Sequence, residues 1–160
     1  MRKYGAMRNC LGFLVVGALA VSAVSAFAAK LPKDAVELTP DEVKQIYSGT
    51  TGVYKNSDQY FAPDGPTIGI FGKPKIKTVF KGTWAVDGNQ MCDKKQPKGD
   101  SKFYSDCTKF WKSGDKLYGL WVVHYDGSKP DEKSGYYTHE LKQHKLGDLV
   151  SKRYAAAGGV

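Results

Sequence analysis

The sequence predicts a mainly β fold: one short amino-terminal helix, then an antiparallel meander curled into a small barrel or half-barrel, lipocalin-like in architecture. Three observations carry this. Only one stretch, "LTPDEVKQIYSG", has helical punctuation. From Gly49 onward, short runs rich in β-branched and aromatic residues alternate with turn signals at regular spacing. Ten tyrosines, seven phenylalanines and three tryptophans suit a barrel interior or its mouth, although an ordinary core is the simpler account of most of them.

The chain opens with Arg2, Lys3 and Arg8, then an apolar run from Cys10 to Ala29 that turns rich in small residues. Ala26 and Ala28 stand in the A-x-A arrangement that signal peptidase accepts, so residues 1–28 read as a secretory signal peptide. The run is also long enough for a membrane anchor, but no basic stop-transfer cluster follows it. "MRNC" lacks a lipobox. Cleavage after Ala28 removes three of the 24 basic residues and no acidic one, so the formal charge falls from +8 to about +5. That balance keeps a domain soluble. It also attracts anionic envelope surfaces. Nucleic acid is not an expected partner, because the chain has no nucleic-acid motif and is read as exported.

Residues 29–37 read as a flexible leader. In the helix, Thr39 is the N-cap and Pro40 takes the first helical position, where its missing N–H costs nothing. Glu42 completes a capping box, Leu38 staples the entry, and Gly49 ends the helix. The strands follow. Pro63-Asp64-Gly65 is a tight turn between two neighbouring strands and sets their register. A strand is expected from about Lys75, with Ile76, Thr78 and Phe80 on one face and Gly82 as a bulge or bend. Asp87-Gly88 is a hairpin signal, and Met91-Cys92 begins the return strand. Residues 93–102 read as a polar loop. In the next strand Tyr104, Asp106, Thr108 and Phe110 form no clean apolar face, which points to an edge or a bulge. "LYGLWVVHY" reads as a central strand, and Asp126–Gly135 as a long loop. Strands at Tyr136–Leu141 and Leu149–Tyr154 complete the domain, with a helix through "THELKQHK" as the competing assignment. The single β-rich domain is thus 38–154, and 155–160 read as a disordered tail.

The order "ELTPDEVKQIYSG", "YFAPDG", "KGTWAVDGNQMC", a second Cys before an aromatic hairpin, and a closing "LGD" resembles an alphaproteobacterial family of small exported proteins, domain-of-unknown-function family 995. The resemblance spans roughly Glu37 to Gly147. It implies an envelope or secreted protein with one domain and no established activity, and it brings no catalytic residues. Pro66 and the "SKPDEKSG" loop depart from the family pattern.

Outside the signal segment the cysteines are Cys92 and Cys107, and an even count in an exported domain argues for a disulfide. A two-thiol metal site is the alternative, but no histidine stands near either at ligand spacing. "HELKQH" separates His139 and His144 by five, not the four that a zinc-protease helix requires. No metal, cofactor or catalytic residue is expected. A hydrolase built on His124 and a carboxylate is the least favoured reading. The expected protein is a periplasmic or secreted binding module for a small apolar, glycan or lipid-like ligand, lined by Tyr60, Phe61, Phe80, Trp84, Tyr118, Trp121 and Tyr125. The rival is an envelope interaction protein or inhibitor acting through its long loops. No stable transmembrane segment is expected after cleavage.

Overall fold

The computed structural model describes residues 30–130 and 135–160. The signal-peptide reading of 1–28 lies outside the described residues. After β1 (Val36–Glu37) comes α1 (Pro40–Tyr47). The capping box forms as read: the Glu42 N–H donates to Thr39 Oγ1 at 3.3 Å, and the Thr39 N–H donates to Glu42 Oε2 at 2.8 Å. The Lys112 ammonium and Thr39 both hold the Glu42 carboxyl down to about 2. Gly49 ends the helix with φ +71°, a conformation that costs a residue without Cβ nothing. Thr39→Ala leaves these first-turn N–H groups without their side-chain partner. It is expected to lower stability by about 1 kcal/mol, read as a drop in the urea midpoint at unchanged m-value.

The remaining strands are β2 (Thr50–Val53), β3 (Ser57–Phe61), β4 (Pro66–Phe71), β5 (Thr78–Asp87), β6 (Gln90–Pro97), β7 (Tyr104–Ser113), β8 (Lys116–Val123), β9 (Tyr137–His139) and β10 (His144–Leu146). All pair antiparallel in one sheet, in the order β10-β2-β3-β4-β5-β6-β7-β8-β9, with β1 added beside β7. β9 and β10 are the two ends of this path, yet only Glu140–Gln143 separates them in sequence. The connection therefore folds the sheet's ends toward each other, giving a curled half-barrel. The Pro63-Asp64-Gly65 turn joins β3 to β4, with the Gly65 N–H donating to Ala62 O at 3.1 Å and Gly65 at φ +104°. Pro66 opens β4, a strand position that tolerates a residue without an N–H.

α1 closes one end of the half-barrel. Val43 and Tyr47 pack with Leu38, Phe61, Trp84, Met91 and Phe110 into the larger core. Phe61 and Phe110 are fully buried, and each such side chain contributes roughly 1.5–3 kcal/mol. A second core lies on the outer face, where α2 (Ser151–Ala156) covers Ile70 and Val79 with Val150 and Tyr154. Asp58, buried on that face, takes Arg153 and Lys73, each at 2.6 Å.

Several expectations are corrected by these contacts. Leu149–Tyr154 is not a strand. Asp148 accepts from the Val150 and Ser151 N–H groups, and apolar burial of Val150 and Tyr154 favours a helical turn there. Residues 155–160, read as disordered, finish α2 and turn back. Lys98 reaches Gly158 O at 2.8 Å and Tyr154 reaches Val160 O at 3.2 Å. In the leader, Val36 and Glu37 pair with β7, and Ser113 donates to Asp34. The "THELKQHK" segment holds one 3-10 turn, Leu141–Gln143, rather than a helix. β5 starts at Thr78, not near Lys75, and β6 runs to Pro97, which shortens the expected loop. β7 is not an edge; it carries the bulge instead, at Cys107/Thr108 against β8.

Cys92 and Cys107 stand directly opposite each other on β6 and β7 and form the expected disulfide. With a sequence separation of 15, reduction releases a loop worth on the order of 3 kcal/mol in the chain-entropy model. Urea unfolding with and without a phosphine reductant is expected to differ by about that amount; a shift below about 1 kcal/mol would contradict it.

Candidate functional site

The strand period of two decides which side chains enter the half-barrel. Phe61 belongs to the inner core, so Gln59 and Ser57 on β3 also face inward. By cross-strand pairing the inward set continues through Thr67 and Gly69, then Phe80, Gly82 and Trp84, then Met91, Asp93 and Lys95. It closes through Asp106, Thr108 and Phe110 to Gly119 and Trp121, and to Tyr137 and His139. Above the apolar floor at α1, the interior becomes polar.

Asp93 is the centre of that polar belt, with only 4 % of its surface exposed. Its Oδ2 accepts from Gln59 Nε2 at 2.8 Å and Lys95 Nζ at 2.9 Å. Lys95 also reaches Asp106 Oδ2 at 2.6 Å. Asp93 Oδ1 is buried with no hydrogen-bond partner. Burial pushes the Asp93 carboxyl up, with Lys95 and Gln59 opposing. For Lys95, burial alone would pull the ammonium down, but the two carboxylates outweigh it and raise it.

At the seam between the sheet's ends, His139 Nε2 lies 3.1 Å from His144 Nε2. The spacing of five that disqualified a helical motif is what strand, 3-10 turn and strand bring together. One ring donates and the other accepts. Burial pulls both imidazoles down to about 4, and His139 adds to this at His144. Both are therefore neutral at neutral pH. Among the described residues no group of three or more His, Cys, Asp or Glu side chains is arranged to hold a metal ion.

Among the described residues, two adjoining cavities lie within the half-barrel. The inner one, about 290 Å³, is bounded by Tyr47, Tyr54, Phe61, Asp93, Trp121, Tyr137 and His139, among others. Trp121 and Tyr137 stack at 5.9 Å with a 23° interplanar angle. Burial pushes the Tyr137 phenol up to about 12 and that of Tyr54 further. The outer cavity, about 540 Å³, has Phe71, Phe80, Lys95, Tyr104 and Tyr125 on its wall. Ser57 and Asp106 belong to both walls, so the two spaces adjoin.

The family of proteins of unknown function DUF995 matches residues 14–128, more than half of the chain. This chain is a DUF995 protein. No curated protein and no solved structure matches it. For this DUF995 protein the family supplies no site, and the geometry alone does.

Of the side chains expected to line a site, Phe61 and Trp121 bound the inner cavity, and Phe80 and Tyr125 the outer. Trp84 is buried in the floor, its indole N–H donating to Ala62 O at 2.8 Å. Tyr60 and Tyr118 are corrections. Each is an odd number of residues from an inward neighbour, Phe61 or Trp121, so the pleat turns it outward. Tyr60 packs beneath α2, and Tyr118 stands opposite Trp111 on the outer face. Asp93, Lys95, Asp106 and Gln59 were missed. Their signal was present: the unclean face of β7 is polar because Asp106 and Thr108 look into the cavity. His124 stacks on Trp121 at 5.1 Å, and the Ser128 N–H donates to Asp126 Oδ1 at 2.9 Å.

Proposed function

We propose that this DUF995 protein is an exported, periplasmic binding module that holds a small ligand inside its half-barrel and does no chemistry on it. The observation that carries this is the partly empty interior: an aromatic cavity adjoining a wider mouth, with a buried carboxylate oxygen left unpaired inside. Small-molecule sites combine an apolar wall with a few placed polar groups, and barrel mouths are a preferred place for them. The mouth keeps Phe71 and Tyr125 exposed, where an apolar ligand would first land. Export is supported by the amino-terminal pattern and by a disulfide, which persists in oxidising compartments. Among the described residues no helix is long and apolar enough to cross a membrane.

The rival reading, an envelope partner acting through its loops, needs a packed interior, and the cavities count against it. A hydrolase built on His124 needs an acid hydrogen-bonded to its ring; among the described residues His124 stacks on Trp121, and Asp126 Oδ1 accepts from the Ser128 N–H. Native mass spectrometry of the mature protein, purified from its own envelope, tests the binding reading. A retained non-protein mass is the expected result. A bare protein mass that stays bare after incubation with an envelope small-molecule extract would overturn it.

A further inference from the structure

We propose that the ligand of the inner cavity carries a protonated amine, held by Asp93 and Asp106 against the aromatic wall of Tyr54, Trp121 and Tyr137. The proposal rests on the binding reading above and names the ligand's chemistry. Both carboxylates bound the inner cavity, whereas Lys95, their common partner, bounds only the outer one. One lysine serves two acids, so the belt has an excess negative charge. Gln59 and Lys95 both bind Asp93 Oδ2, and Oδ1 is left buried and unpartnered. A buried acceptor without a donor is a standing penalty that an incoming N–H relieves. An ammonium relieves it best, because a charge-assisted hydrogen bond is about twice as strong as a neutral one.

The other facing groups agree. The titratable side chains on the same wall are Tyr47, Tyr54, Tyr137 and His139, all neutral at pH 7, so none supplies the missing positive charge. Aromatic rings attract cations through their faces. An anionic ligand would meet two carboxylates at close range. The volume of about 290 Å³ is at the small end of ligand sites, so the amine is compact.

Three probes of one shape separate charge from fit: 2-phenylethylammonium, 2-phenylethanol and phenylacetate, titrated at neutral pH into the ¹⁵N-labelled mature protein. The ammonium is expected to bind about tenfold more tightly than the alcohol, with phenylacetate weakest. Shifts should centre on the Trp121 indole and the Asp93 amide. Asp93→Asn should bring the ammonium and alcohol affinities together. The order of the three probes on the unaltered protein decides the matter even if that variant folds poorly. Equal binding of all three in the cavity, or phenylacetate binding best, overturns the amine and leaves the binding reading standing. No binding by any probe also overturns the amine, while the binding reading is judged separately by the retained native mass.

Discussion

Gly82→Ala is expected to destabilise the protein by about 4 kcal/mol or more, a large share of the roughly 5–15 kcal/mol that holds a domain folded. A Cβ built at Gly82 would run into the Lys94 carbonyl oxygen, with Lys95 Cα at 2.7 Å and the Lys94 carbonyl carbon at 2.8 Å. These are backbone atoms of β6, fixed by the ladder with β5 on one side and β7 on the other. They cannot rotate away as a side-chain tip can. Register through Gly82 is regular on both neighbours, so the residue is not a bulge but a close approach of two strands where the sheet curls. Alanine would gain roughly 0.4–1 kcal/mol by restricting the unfolded chain, too little to offset separating two paired strands. Gly69→Ala is the control. The atoms nearest its Cβ all belong to the Phe80 ring, which borders the open outer cavity, so overpacking of about 1–3 kcal/mol is expected. Urea unfolding of both variants checks this, and equal losses would show that the strand approach is not what demands glycine at position 82.

The helix α1 was legible because its determinants are local. Thr39, Pro40 and Glu42 satisfy the first turn among themselves, and no distant residue is needed to see it. Turns were legible for the same reason, and with them the meander. The faces of the strands were not. Tyr60 and Phe61 are adjacent and both aromatic, and only pairing with Thr67 and burial against Tyr47 tell which one enters the barrel. The polar belt is harder still. Asp93, Lys95 and Asp106 meet because β6 and β7 pair Asp93 with Asp106 and place Lys95 two residues along on the same face. Read singly, each is an ordinary charged residue in a lysine-rich stretch. α2 was misread because "LVSKRY" has no strong propensity, and burial on Ile70 and Val79 decides its form. The histidine pair shows the reverse: a spacing that excluded one arrangement left open the turn that brings the two rings together.

Lys95→Met is expected to cost about 3–5 kcal/mol at neutral pH, far more than the loss of a surface lysine. Its ammonium lies 2.9 Å from Asp93 Oδ2 and 2.6 Å from Asp106 Oδ2, with 19 % of the side chain exposed. Methionine keeps the length and the packing of the stem but leaves two carboxylates facing each other with no counter-charge. Breaking one partner out of a buried ionic group is costly because the remaining charge cannot be solvated. The pH dependence separates this from a packing defect. Burial already holds the Asp93 carboxyl above its ordinary value, and Lys95 is the largest influence opposing that rise. Without Lys95 the folded-state value rises further. A carboxyl raised in the folded state binds its proton more readily there than in the unfolded chain. Its contribution is therefore fully present below the unfolded value and is lost as pH rises through the folded one. The deficit of the variant is expected to be largest near neutral pH and to shrink toward about pH 5. His139 and His144 act in the opposite sense. Each is pulled down to about 4 when folded, so stability falls as pH drops from their unfolded value of 6.5 toward that point. That loss is common to both proteins and cancels in their difference. Urea midpoints of wild type and Lys95→Met at matched pH values give the difference directly. A deficit that stays constant between neutral pH and about pH 5 would mean that Asp93 is not the charge Lys95 holds. The inner cavity's case for a cationic ligand would weaken with it, because both depend on Asp93 being ionised.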